Sequence, residues 1–186
     1  MKKGKREKIM EAALELIAEN GFHNSPTSKI AKNAGVGSGT IYRYFEKKDV
    51  LIKEIHDQIK QELYGYVFKN DDENLPVRDR FIQLFTALGN FLLNNPNKQK
   101  YLEQFYNSPF GIDEKRACIE EDDPFGDFFS YAKQQHIIKD MDDEILFALA
   151  FGPILFLLKD HNSGFIELND EIFNDVINAS WDAVRL

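Results

Sequence analysis

Apolar side chains recur at helical spacing along most of this chain, and no stretch alternates with the two-residue period of a half-buried strand. The cleanest stripe is Leu51, Ile55, Ile59 and Leu63, which predicts a long helix over Val50–Phe68. Phe81, Leu84, Phe85, Leu88, Phe91 and Leu92 predict another over Val77–Leu93, with Pro76 at its start. Asn94–Asn97 reads as a break and Lys98–Tyr106 as a short helix. Helices over Pro124–Gln135, Asp142–Lys159 and Asn169–Val184 follow, the last capped by Asn169. Asp142, Asp143 and Glu144 fall where the helix dipole favours negative charge. Loops are expected at Asn70–Pro76 and Asp160–Leu168. The longest irregular connection is the acidic stretch Asn107–Pro124, expected to hold a short turn of helix and to flank a pocket. The fold class is therefore all-α, with about nine helices.

Thr27–Lys48, TSKIAKNAGVGSGTIYRYFEKK, has a tighter pattern. Thr27 or Ser28 can cap a helix whose apolar face is Ile30, Ala31 and Ala34. Gly35 follows directly, where a helix exit needs positive φ, and Val36 can turn inward. A second helix over Ser38–Phe45 would be about 12 Å long, a match for a DNA major groove about 12 Å wide. At about 100° per residue Ile41 and Phe45 share one face, Arg43 and Gly39 the opposite one, and Thr40 and Tyr42 flank them. Gly39 is a poor helix former but lets backbone approach a phosphate or base edge. Helix, glycine turn, helix and basic exit is how a helix-turn-helix offers a recognition helix to DNA.

Charge is split in the same sense. The 186 residues carry a net charge of −8, yet residues 1–60 hold 12 Lys and Arg against 8 Asp and Glu. Residues 61–186 hold 11 against 23. A basic head on an acidic body concentrates phosphate attraction in the head and limits non-specific binding. The single cysteine, Cys118, rules out an intramolecular disulfide and fits a reducing, cytoplasmic setting. The charged, interrupted N-terminus is not a signal peptide. The most apolar run, Ile145–Leu158, falls short of the roughly 20 residues of a membrane span and contains Gly152-Pro153. A buried helix kinked at Pro153 is expected, with no membrane partner.

Catalytic and metal signatures are weak. His23, His56, His136 and His161 are scattered, and His136 and Asp140 have no third ligand in view. No nucleophile–base pair or phosphate loop is present, so neither an enzyme nor a metal or cofactor site is expected. Glu120, Glu121, Asp122 and Asp123 read as a solvated loop.

With these residues in view, the N-terminal segment resembles the DNA-binding domain of the TetR/AcrR family of bacterial transcriptional regulators. The matching pieces are KREKIMEAALELIAENGF, TSKIAKNAGVGSGTIYRYF and KKDVL, within about Lys5–Ile55. The resemblance implies a three-helix helix-turn-helix domain over residues 1–47 and a helical ligand-binding and dimerisation domain over 48–186. It further implies that Thr27 and Ser28 meet the DNA backbone or groove edge. Ser38, Gly39, Thr40, Tyr42, Arg43 and Tyr44 would face DNA from the recognition helix, and Lys48 would meet a phosphate. Gly37 and Lys47 depart from the pattern, standing where small polar caps are common. Arg43 suits either a guanine edge or a phosphate, and Tyr44 either DNA or the first helix.

The same resemblance shapes the reading of the body. Asp142–Lys159 is apolar nearly all round, and the last helix adds Ile172, Phe173, Val176, Ile177, Ala179, Trp181 and Val184. Such helices imply a homodimer formed through about 142–159 and 169–184, by a four-helix bundle. Of the 16 phenylalanines, 14 follow residue 60. The family's bodies enclose a small-molecule pocket, for which Phe85, Leu88, Phe91, Tyr101, Gln104, Phe105, Phe128, Phe129, His136 and Phe151 are the candidate liners. Gln104 or His136, if buried, would orient the ligand. The expectation is a dimeric, ligand-responsive regulator, a repressor released from operator DNA by a small hydrophobic or aromatic effector. A helical small-molecule-binding protein or enzyme with a vestigial head is the alternative, marked by a nucleophile–base pair in the pocket. A DNA-packaging protein, without a pocket, is a third.

Overall fold

The computed structural model describes residues 4–112 and 123–186, so Cys118, Glu120, Glu121 and Asp122 lie outside the described residues. The chain divides into two compact units, residues 1–62 with 95–116, and residues 63–94 with 117–186.

The first unit is built on α1 (Lys5–Asn20), α2 (Thr27–Asn33), α3 (Ser38–Tyr44), the start of α4 (Lys48–Val67) and α6 (Pro96–Tyr106). At the start of α1 the Gly4 N–H donates to Glu7 Oε2 at 3.0 Å, the half of a capping box open to a glycine cap. Gly21, at φ 78°, ends it and donates to the Ile17 carbonyl at 2.8 Å. Buried Ser25 then reaches the carbonyls of Leu16 and Gly21 at 3.1 and 2.7 Å, fixing the path into α2. The predicted cap by Thr27 or Ser28 is not formed: Pro26 holds the cap position and both residues lie inside α2. Gly35 adopts the expected positive φ, 66°, and Val36 donates back to Ala31 at 2.9 Å.

One apolar core holds this unit. Ile9, Leu16 and Ile17 of α1 meet Ile30 and Ala31 of α2, Ile41 and Phe45 around α3, and Leu51, Ile52, Ile55 and Ile59 of α4. Tyr101 and Phe105 of α6 belong to the same core. α6 starts at Pro96, two residues before the sequence break would place it, because proline suits a first helical turn.

The second unit contains the end of α4, α5 (Val77–Leu93), α7 (Pro124–Gln134), α8 (Asp143–Asn162) and α9 (Asp170–Val184). Asp123 and Asn169 cap α7 and α9 by accepting from Phe125 and Ile172 at 3.2 and 2.9 Å. α5 packs on α8 and α9 through a gap that only glycine leaves open. A Cβ on Gly89 would stand 2.3 Å from Phe173 Cζ and 3.2 Å from Ile154 Cγ2. The interior is a ring network in which Phe81, Phe85, Phe125, Phe128, Phe129 and Trp181 contact one another at centroid distances from 4.4 to 6.4 Å.

In the second unit one boundary differs by more than a residue from the sequence expectation. α8 passes through Pro153 and runs beyond Lys159 to Asn162, stopped by Gly164 at φ 76°. His136 is exposed rather than buried, and its φ of 54° ends α7 in the left-handed region. An isolated antiparallel bridge joins Ile138 to Arg185, anchoring the C-terminus without making a strand. No helix among the described residues is long and apolar enough to cross a membrane.

Candidate DNA-binding interface

The geometry of α3 follows from its two buried anchors. Ile41 and Phe45 are both only 1 % exposed, and the residues between and opposite them are thereby turned outward. Ser38, Gly39, Tyr42, Arg43 and Tyr44 are exposed, and Thr40 is half-buried. On α2, Ser28 is exposed and Thr27 half-buried. The face predicted from the helical wheel is thus presented as one surface. Tyr44 is 44 % exposed.

Gly39 has ordinary helical backbone, and a Cβ added there would meet nothing within 4 Å. The fold itself therefore imposes no need for glycine at 39. Lys29 and Lys32 add exposed positive charge on α2, and their i+3 spacing was the readable signal that the motif-based prediction passed over.

Lys48, the first residue of α4, directs its Nζ to the Phe22 carbonyl. Partial burial pushes its ammonium pKa down, and neighbouring Asp49 works against that shift. Two further N–H donors remain on the ammonium for an anion. Arg6 sits 5.3 Å over the Phe45 ring and pairs with Glu54, so α1 grips both the end of α3 and α4.

The ten predicted pocket residues fall into two groups. Tyr101, Gln104 and Phe105 belong to the first unit. The Tyr101 hydroxyl donates to the Ile52 carbonyl at 2.6 Å. Gln104 Nε2 donates to the carbonyls of Ile17 and Ala18, at 2.9 and 3.2 Å, in the last turn of α1. Phe105 stacks on buried His56 at 4.0 Å. Phe85, Leu88, Phe91, Phe128, Phe129 and Phe151 are buried in the second unit, and His136 of the same unit is exposed.

A cavity of about 280 Å³ in the second unit is lined by Tyr64, Phe68, Asp71, Glu73, Arg80, Pro124 and Asp127, none of them a predicted liner. Of its lining residues, Arg80 is forked onto Asp71 at 2.8 and 2.6 Å and lies 5.5 Å over Phe128. No group of three or more His, Cys, Asp or Glu side chains placed to hold a metal occurs among the described residues.

A short helix seated by Ile41 and Phe45 with a polar outer face, joined to a larger helical body, defines a helix-turn-helix transcriptional regulator. Residues 9–55 match the family model described as bacterial regulatory proteins, tetR family, and residues 76–185 match that of the tetracycline-repressor-like C-terminal domain. The chain belongs to the TetR family of DNA-binding transcriptional regulators. It is 28 % identical to an HTH-type transcriptional regulator of Haemophilus influenzae over 96 % of this chain and 95 % of the relative. The crystal structure of a TetR-family regulator from Haemophilus influenzae Rd superposes with a TM-score of 0.83 at 28 % identity, covering 98 % of this chain and 97 % of that one. The fatty acid metabolism regulator protein of Bacillus subtilis is 52 % identical, but over only 32 % of this chain and 31 % of its own length.

Proposed function

We propose that the protein is a homodimeric repressor that leaves its operator when a small hydrophobic or aromatic effector binds its body. The carrying observation is the outward face of α3, where Gly39, Tyr42 and Arg43 stand exposed over the buried Ile41 and Phe45. In this reading Ser38, Gly39, Thr40, Tyr42, Arg43 and Tyr44 face DNA from α3, the helix that lies along the major groove. Thr27 and Ser28 lie at the DNA backbone or groove edge, Lys48 meets a phosphate, and Lys29 and Lys32 strengthen the same field.

Dimerisation through α8 and α9 is supported by apolar side chains that a lone subunit leaves in water. Ile145 and Phe156 on α8 are 49 % and 63 % exposed, and Ile172 on α9 is 38 % exposed. Two heads would then read half-sites about 34–36 Å apart, or a multiple of that spacing. The effector would enter among Phe85, Leu88, Phe91, Phe128, Phe129 and Phe151, which the second unit holds together. Its release signal would travel as a tilt of α4, which contributes to both units. Within the first unit Tyr101 and Gln104 tie α6 to the backbones of α4 and α1.

The reading assigns the protein no catalytic step and places it in the cytoplasm with its DNA. The test is selection of duplexes from a randomised pool, followed by displacement of the selected duplex with a panel of hydrophobic and aromatic compounds. Enrichment of a two-fold symmetric sequence, and displacement by at least one compound, is expected. Failure to enrich any sequence contradicts the DNA-binding assignment, and displacement by no compound contradicts the effector.

A further inference from the structure

The Thr27 hydroxyl does not cap its own helix. It lies 3.1 Å from the Tyr42 hydroxyl, spanning from the first turn of α2 to the outer face of α3. Thr27 is half-buried on a helix seated by fully buried Ile30 and Ala31, so its oxygen is a fixed point. Tyr42 is the more exposed partner, at 57 %, and is attached beside the buried Ile41.

We infer that these two residues act as one hydrogen-bonding unit, in which Thr27 is a positioning residue that aims the Tyr42 hydroxyl at a single DNA phosphate. The inference rests on α3 being the recognition helix and deepens that reading. Each hydroxyl carries one proton and two acceptor lone pairs. At 3.1 Å one proton lies between the two oxygens, which leaves the pair one proton to give outward. The phenol is the more acidic hydroxyl and so the better donor to an anionic phosphate oxygen. With phosphate present, Thr27 donates to the Tyr42 oxygen and Tyr42 donates to phosphate. Each bond polarises the next, so the chain is stronger than its links taken separately. Without DNA the same contact holds the tyrosine ring near its binding orientation, lowering the ordering cost of association.

A double-mutant cycle tests this on the full chain. Fluorescence anisotropy would read affinity for a duplex selected from a randomised pool and for a scrambled duplex of equal length. Tyr42→Phe should weaken binding to both by about tenfold, since phosphate contacts carry no sequence information. Thr27→Val should weaken it by about threefold in the wild-type background and not at all in the Tyr42→Phe background. Thr27→Ser, which keeps the hydroxyl, should restore wild-type affinity, and Thr27→Ala repeats the cycle with a second side chain. The salt slope should stay constant throughout, because no charge is removed. Circular dichroism melts identify any variant whose fold has changed. Losses that multiply to about thirtyfold in the double variant would overturn the coupling while leaving DNA binding intact. Wild-type protein that binds neither duplex would overturn the recognition-helix reading itself.

Discussion

The Tyr101 hydroxyl donates to the main-chain carbonyl of Ile52 at 2.6 Å, fastening the middle of α6 to the second turn of α4 inside the first unit's core. Burial pushes Tyr101 ionisation well above the ordinary tyrosine value of 10, and Asp57 adds to the shift. The folded state therefore holds this proton more tightly than the unfolded chain. The associated stability is fully present below about pH 10 and is lost as pH rises above it. Tyr101→Phe should cost about 1 kcal/mol at neutral pH, read by urea denaturation. Above pH 10 the variant should lose stability less steeply than the wild type; parallel pH profiles would show that the hydroxyl is not the titrating group.

Gly39 should behave as a residue retained for contact rather than for folding. Its backbone is ordinary helix and the space around it is open, so Gly39→Ala should raise stability by up to about 1 kcal/mol. The same methyl would stand between α3 and DNA and should weaken binding of a selected duplex. Thermal melting and anisotropy on one preparation give both readouts, and a variant that is stabilised yet binds normally would remove Gly39 from the interface.

Gly89 is the opposite case. Its missing side chain is demanded by Phe173, whose Cζ and Cε2 would lie 2.3 and 2.9 Å from a Cβ. Gly89→Ala should destabilise the second unit by about 1–3 kcal/mol through overpacking of α5 against α9. Denaturation midpoints check this, and an unchanged midpoint would mean that Phe173 moves aside freely.

Phe156 tests the proposed dimer. A side chain 63 % exposed contributes little to a monomer's own fold, so Phe156→Asp should leave the melting temperature of the monomer almost unchanged. At an interface the buried charge should shift the protein toward monomer in sedimentation and lower operator affinity by at least tenfold. An unaltered dimer would place the interface elsewhere.

The α2–α3 segment was legible because its determinants are local. Ile41 and Phe45 are four apart, which alone puts them on one face, and Gly35 signals its own positive φ. Asn169 likewise announced the cap it makes. The Thr27–Tyr42 contact was illegible for the opposite reason. A threonine before a helix suits a cap, and only the packing of α2 against α3 brings its hydroxyl to a tyrosine fifteen residues on. The membership of Tyr101 and Phe105 in the first core was hidden too, because their partners on α1 and α4 lie far away in sequence. The end of α8 was missed although Gly164 marks it, since Asp160 and His161 look like loop residues until the helix is seen to continue beneath them. The abundant phenylalanines were readable as core, but their number did not locate a cavity. The one at Arg80 is set by an ion pair folding the residues after α4 back onto α5.

The most direct measurement for the whole account compares sequences enriched from a randomised duplex pool by the wild type and by Arg43→Ala. Arg43 is exposed at the centre of the α3 face, where a bidentate contact to guanine would discriminate by about 1–3 kcal/mol. The account predicts that the wild type enriches a symmetric pair of half-sites, and that Arg43→Ala keeps their spacing while relaxing preference at one position in each. No enrichment by the wild type, or a variant motif identical at every position and bound equally well, would contradict it.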